Sequence, residues 1–197
     1  MLSALAIKLR QEQADPSSSR LPLIVWSALI IGAFVWIGLI MGAPISASYG
    51  HRRIADFIYH IFLPICHQIP GRSYHILGYK FAVCSRCFGI YSGFICGLLL
   101  YPVFRSLTLR YTPDRKWLVL ACIPMGIDVA LGSFHIWSNT FLSRTITGGL
   151  FGFVSVFYIL PGIVDLSFMS WRRVVHGQSV KSVAKEILGN LTDKLSH

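Results

Sequence analysis

Between Leu21 and Ala43 the chain runs for 23 residues without a charged side chain. Wound as a helix, such a run crosses the ~30 Å hydrocarbon core of a bilayer. The polar stretch before it is too long, and the run itself too extended, for a cleaved signal peptide. Three further runs repeat the pattern, at about residues 87–104, 117–137 and 146–169; Asp128 interrupts the third and Asp165 the fourth. Composition agrees: hydrophobic residues make up 54% and charged residues 13%, with a mean hydropathy of +0.60. A soluble domain carries about twice that charged fraction. Disorder, a disulfide mini-protein and an ordinary cytosolic enzyme are all excluded. The expected fold is all-α, an integral membrane protein with four transmembrane helices in residues 21–170. Residues 1–20 and 171–197 are expected to be cytoplasmic tails.

A fifth apolar stretch, Ile54 to Ile65, is too short to span. Ile54, Phe57, Ile58, Ile61, Phe62 and Ile65 recur at helical spacing, with Arg52, Arg53, Asp56 and His60 off that stripe. This predicts an interfacial amphipathic helix, lying on the membrane or docked on the bundle.

Lys and Arg number 18 against 8 Asp and Glu, a net charge of +10. On a soluble domain that balance would suggest nucleic acid. In a membrane chain it supplies cationic anchors, and no nucleic-acid partner is expected. With both termini inside, twelve of these cations fall in cytoplasmic segments and six outside: Arg52, Arg53, Arg72, Lys80, Arg86 and Arg144. That is the positive-inside bias. The expected location is the cell (inner or plasma) membrane, with the segment from Cys66 to Cys87 on the outer face. The tail cations Arg172, Arg173, Lys181 and Lys185 suit anionic inner-leaflet lipids.

Cys84 and Cys87 form a C-x-x-C at the mouth of the second span, and Cys66-His67 arrives across a turn marked by Pro70-Gly71. Three thiols and an imidazole could make a tetrahedral Cys₃His site for zinc or another divalent metal. Adjacent side chains diverge, so Cys66, Cys84 and Cys87 with an open fourth position is an equal alternative. Arg86 inside the C-x-x-C, Arg72 nearby and a following helix N-terminus would also favour thiolate and redox chemistry. A structural disulfide pinning the loop is the third reading. Cys96 and Cys122 lie inside spans and read as packing residues.

Asp128 lies near the middle of the third run, where an ionised carboxylate costs at least ~2.5–3.5 kcal/mol. It must pair or face the bundle interior. Gly132 and His135 share its helical face, and Asn139, Arg144 and Thr147 follow. An ion pair with Arg144, or a place among the metal ligands, would each resolve the cost, as would an interhelical hydrogen bond that merely fixes packing. Glycines recur every fourth position at Gly38 and Gly42, at Gly89, Gly93 and Gly97, and at Gly148 and Gly152. Such spacing lets helix backbones approach closely, within the chain or in a homodimer.

The blocks Cys66-His67-Gln68-Ile69-Pro70-Gly71-Arg72-Ser73, Cys84-Ser85-Arg86-Cys87-Phe88-Gly89-Ile90-Tyr91-Ser92-Gly93, Pro124–Asp128 and Ser138–Gly148 fall in order across the central half of the chain. This arrangement resembles the small bacterial and archaeal membrane proteins grouped as domain of unknown function 2085. The resemblance implies a multi-span membrane protein and supplies no activity.

No Walker loop, dinucleotide fingerprint, nucleophile elbow or H-E-x-x-H helix is present. Three functional readings follow. In the first, Cys66, His67, Cys84 and Cys87 bind a metal, either without turnover or as an enzyme acting on a lipid or small anionic substrate. Asp128 or His67 would then be the base, and Arg72, Arg86 or Arg144 would stabilise negative charge. In the second, Cys84–Cys87 exchanges disulfides with Cys66. In the third, the chain is a transporter or assembly subunit with structural cysteines.

Overall fold

The computed structural model describes residues 16–107, 112–134 and 139–195, with side chains described between Arg20 and Ser170. These residues form five α-helices: α1 Pro16–Ser48, α2 Arg52–Phe62, α3 Ser85–Phe104, α4 Arg115–Ser133 and α5 Phe141–Leu195. Four have segments long and apolar enough to cross a membrane: Arg20–Ser48, Ser85–Phe104, Arg115–Ser133 and Phe141–Ser170. The chain is therefore an all-α, multi-pass membrane protein. Past Ser170, α5 stays helical to Leu195. At the other end of the chain, residues 1–15 of the expected N-terminal tail lie outside the described residues. The third span was expected to reach residue 137, but α4 ends at Ser133, and His135 lies outside the described residues. Asp128 thus sits within a turn and a half of the helix end rather than at mid-span.

Helices α3 and α5 form the centre of the bundle, with α1 against both and α4 mainly on α5. The central pair runs parallel and touches backbone to backbone. A Cβ at Gly89 would strike the backbone of Thr145, one at Gly93 that of Gly149, and one at Gly97 would lie 2.8 Å from the carbonyl of Phe153. From the other side, Gly148 and Gly152 abut Arg86 and Ile90. Lipid tails are as apolar as leucine, so close van der Waals contact of this kind is what holds helices together in a membrane. These glycine faces are thus spent inside the chain, whereas Gly38 meets nothing within 4 Å.

Prolines inside the helices leave carbonyls that other elements satisfy. Pro102 has no N–H for the carbonyl of Leu98, and the indole Nε1 of Trp26 donates to it at 2.8 Å. Likewise Pro44 frees the carbonyl of Ile40, which accepts from the amide of Ala82 at 3.4 Å. The first bond ties α1 to α3; the second ties α1 to the loop beside the cysteines.

Two apolar clusters fill the interior. One, at the end where α3 begins, joins Ile40 and Ala43 of α1 to Ile58 and Phe62 of α2 and to Cys66, Phe81, Ala82 and Val83. The other joins Leu98, Tyr101, Val156, Leu160 and Val164. Helix α2 splits the apolar stripe expected of it. Ala55, Ile58 and Phe62 are buried in the protein, while Ile54, Phe57 and Ile61 stay exposed. It is docked on the bundle by one face and leaves the other apolar face exposed. Cys96 points outward from α3 rather than into the packing.

The glycine contact gives a direct test. Gly93→Ala should destabilise the protein by more than about 2 kcal/mol, the upper part of the range for overpacking, because the obstacle is backbone. Gly38→Ala should be neutral or slightly stabilising. Unfolding of both variants in detergent micelles measures the difference.

Candidate metal centre

The end of α1, the start of α3, the end of α4 and the start of α5 all lie at one end of the bundle. Between α2 and α3 the chain makes a 3₁₀ turn at Pro70–Arg72 and a two-stranded hairpin, β1 His75–Ile76 and β2 Tyr79–Lys80. Antiparallel pairing of His75 with Lys80 and Ile76 with Tyr79 closes over Leu77-Gly78, whose φ angles of 52° and 82° suit a primed hairpin turn. Three residues latch this loop to α2. Gln68 Nε2 donates to the carbonyl of Tyr59 at 2.6 Å, Lys80 Nζ donates to the carbonyl of Gln68 at 2.8 Å, and the Tyr59 hydroxyl donates to the carbonyl of Lys80. Burial raises the Tyr59 pKa, so the hydroxyl keeps the proton it donates. Gln68 is buried and left-handed at φ 51°, a conformation a non-glycine residue holds only when its surroundings enforce it.

That clamp delivers Cys66. Its Sγ accepts the backbone N–H of Cys84 at 3.1 Å, and the Sγ atoms of Cys84 and Cys87 lie 3.5 Å apart. All three sulfurs fall within 4.8 Å of one another. Zn–S bonds of 2.3 Å in a tetrahedron place sulfurs about 3.8 Å apart, so sub-ångström adjustment suffices for a metal ion. The Cys84 thiol is held well below the usual thiol range. Hydrogen bonding to the Cys66 thiol is the largest cause and to Cys87 the next, with the amides of Cys87 and Arg86 assisting against the opposing effect of burial. Thiolate is the form that binds metal or attacks a disulfide.

The cluster opens into a cavity of about 370 Å³, lined by the three cysteines with Ile65, His67, Gln68, Ile69, Arg72, Arg86 and Arg144. His67 is exposed on that lining and is not one of the mutually close ligand atoms, which are the three thiols. The divergence of neighbouring side chains accounts for its place. Arg72 is exposed and Arg144 half-buried.

Of the three arrangements expected of Asp128, the structure shows interhelical hydrogen bonding. Its partner is Arg86, not Arg144, and it is not part of the thiol group. Arg86 Nη2 donates to Oδ2, and Ser143 Oγ donates to Oδ1 at 3.0 Å. Asn139 Nδ2 donates to the backbone carbonyl of Asp128, and Gly132 leaves room for it, since a Cβ there would lie 2.7 Å from that amide nitrogen. Both carboxylate oxygens are therefore occupied. Ser143 and Gln68 escape sequence reasoning, although both fall inside the motif blocks; only the turn geometry of Gln68 and the first-turn position of Ser143 on α5 reveal their work.

These observations define a class: a multi-pass membrane protein with a three-cysteine group able to hold a metal at one end of its bundle. Comparison with known sequences places it more narrowly. A family described as predicted membrane protein (DUF2085) matches residues 66–158, from Cys66 through the first half of the α5 span. An uncharacterised protein of Methanocaldococcus jannaschii is 38% identical over 149 residues, 73% of this chain and 96% of that one. Another, of Methanothermobacter thermautotrophicus, is 41% identical over 71 residues, 34% of this chain and 59% of that one. The chain belongs to the DUF2085 family of membrane proteins. No solved structure matches it.

Removing one member of the ion pair strands the other. Asp128→Asn should cost about 2–3 kcal/mol, less than the ~3–5 of a fully buried pair because Arg86 is partly exposed. Adding Arg86→Gln to Asp128→Asn should recover part of that loss. A double-mutant cycle on unfolding in micelles gives the coupling.

Proposed function

We propose that Cys66, Cys84 and Cys87 bind one zinc ion through thiolates, with the fourth position open to the cavity, and that this centre acts on a ligand held there. The observation that carries the reading is the convergence of three sulfurs within 4.8 Å at the wall of an arginine-lined cavity. A purely structural zinc site is closed by four protein ligands, whereas a catalytic one keeps a position free. When bound, zinc supplies a Lewis acid and a water of lowered pKa. The other roles fall to the chain. His67, exposed on the cavity lining, is placed to take a proton. Arg72 and Arg144 stabilise negative charge. Asp128, committed to Arg86 and Ser143, positions that guanidinium rather than serving as base. The site faces outward, on the twelve-to-six distribution of cations.

A second reading rests on the 3.5 Å separation of Cys84 and Cys87. Oxidation of that dithiol to a disulfide would release two electrons and two protons to a membrane partner, with Cys66 as the third thiol for exchange.

Metal analysis separates the two. Protein purified under reducing conditions should hold one zinc per chain, lost in Cys84→Ser and Cys87→Ser. Metal-free protein with a Cys84–Cys87 bridge that reduces and reforms readily would replace the first reading with the second. After reduction and metal removal, a membrane-impermeant thiol reagent should label Cys84 in intact cells; labelling only in lysed cells reverses the orientation.

A further inference from the structure

The cavity has more positive charge than its own protein groups can balance. Arg72, Arg86 and Arg144 line it together, and Arg144 lies within electrostatic reach of both other guanidinium groups. One carboxylate, Asp128, lies within electrostatic reach of Arg144, and it is bound to Arg86. Among the described residues the side chains of Arg72 and Arg144 make no ion pair or hydrogen bond, and the Arg86 Nε atom is buried without an acceptor. Even with one of the three cysteines as thiolate, a positive charge is left over. Three thiolates on a divalent ion give back only one negative charge, so the excess survives with or without the metal.

Helix geometry adds to it. The parallel contact of α3 and α5 sets two helix N-termini side by side at this end, each worth roughly half a positive charge. Neither first turn holds an acidic residue. Instead Arg86 occupies the first turn of α3 and Arg144 that of α5, the reverse of what the helix dipole favours. Cations at paired N-termini beside a cavity are the arrangement of an anion site.

The cavity walls also give the ligand a second property. Ile65 and Ile69 are exposed on the lining. Ile65 continues the outward stripe of α2, Ile54, Phe57 and Ile61, at the same helical spacing, and all three are exposed. An apolar path thus leads from the exposed side of α2 to the arginines. At about 370 Å³ the cavity is at the small end of ligand sites, enough for a headgroup with its chains outside.

We infer that the cavity binds the phosphate group of an amphiphile, with Arg72, Arg86 and Arg144 on the phosphate oxygens and Ile65 and Ile69 along the first part of the acyl chain. This rests on reading the cavity as the working face of the thiol centre, and its test is separable from that reading. The full chain, purified in maltoside micelles, is titrated calorimetrically with dihexanoyl phosphatidic acid, inorganic phosphate and dihexanoylglycerol. The phosphatidic acid should bind, inorganic phosphate at least a hundredfold more weakly, and the uncharged glyceride not at all. Arg72→Gln and Arg144→Gln should each weaken phosphatidic acid binding tenfold or more while zinc content stays at the wild-type value. Arg72 is exposed, so its substitution does not endanger folding. Unchanged affinity in both arginine variants, or equal binding of the glyceride, overturns the proposal. Inorganic phosphate binding as tightly as the lipid overturns its amphiphile half and leaves a soluble anion. Zinc absent from wild-type protein that still binds phosphatidic acid through the arginines would sink the metal reading alone.

Discussion

The backbone contact between α3 and α5 is the constraint on which the rest of the structure depends. In lipid there is no hydrophobic force to press two apolar helices together, so the pair must fit closely enough for dispersion to hold it. Gly89, Gly93 and Gly97 meet Thr145, Gly149 and Phe153, each pair offset by the same 56 residues, so the two helices keep one register over about two turns. A parallel pair in this register has both N-termini at one level. Dipoles aligned in this way repel, and the positive ends of both helices meet where the cysteines are.

The chain answers that repulsion with groups drawn from outside the pair. Asp128 comes from α4 to neutralise Arg86, held in place by Ser143 on α5 and by Asn139 reaching back to its own backbone. The Cys84 thiol sits at the head of α3 as a group that prefers to be negative there. A carboxylate this deep in a transmembrane helix is costly alone, yet Asp128 is close to the end of α4, where a guanidinium from the neighbouring helix can reach it. The ion pair and the helix packing support each other: the glycine contact brings Arg86 within reach of α4, and the pair anchors α4 to a bundle that it otherwise touches mainly through α5.

The four spans were legible because each is an uncharged or nearly uncharged run, a signal that depends on composition and not on tertiary detail. The glycine spacing was equally plain; that Gly89, Gly93 and Gly97 meet α5 of the same chain is decided by the packing. The three thiols could be read together from Cys66 and the C-x-x-C. The partner of Asp128 could not. Arg86, Arg144 and Arg72 are alike in a sequence, and only the parallel register of α3 against α5 decides which guanidinium stands opposite α4. The divided face of α2 was hidden for a similar reason: Ile54 and Ile58 both satisfy the helical stripe, and which one is buried depends on how the helix rolls against Ile40 and Ala43. Gln68 gave no signal, since a left-handed glutamine is imposed by its neighbours and not chosen by its side chain.

The same roll of α2 gives the interfacial helix a part in the chemistry. Cys84 and Cys87 share one helix turn and keep their spacing whatever the rest of the bundle does. Cys66 belongs to a different element: it follows α2 directly, through amides of Ile65 and Cys66 that both bond to the carbonyl of Phe62, and it is buried in the cluster that α2 forms with α1. Its reach to the amide of Cys84 is the link between the two elements. The third thiol is therefore present only while Ile58 and Phe62 stay seated on α1, with the loop clamped by Tyr59, Gln68 and Lys80. The opposite side of α2 is apolar and exposed, so the element that completes the site is seated on the bundle by one face alone. A centre of two thiols and a centre of three differ by the docking of one short helix.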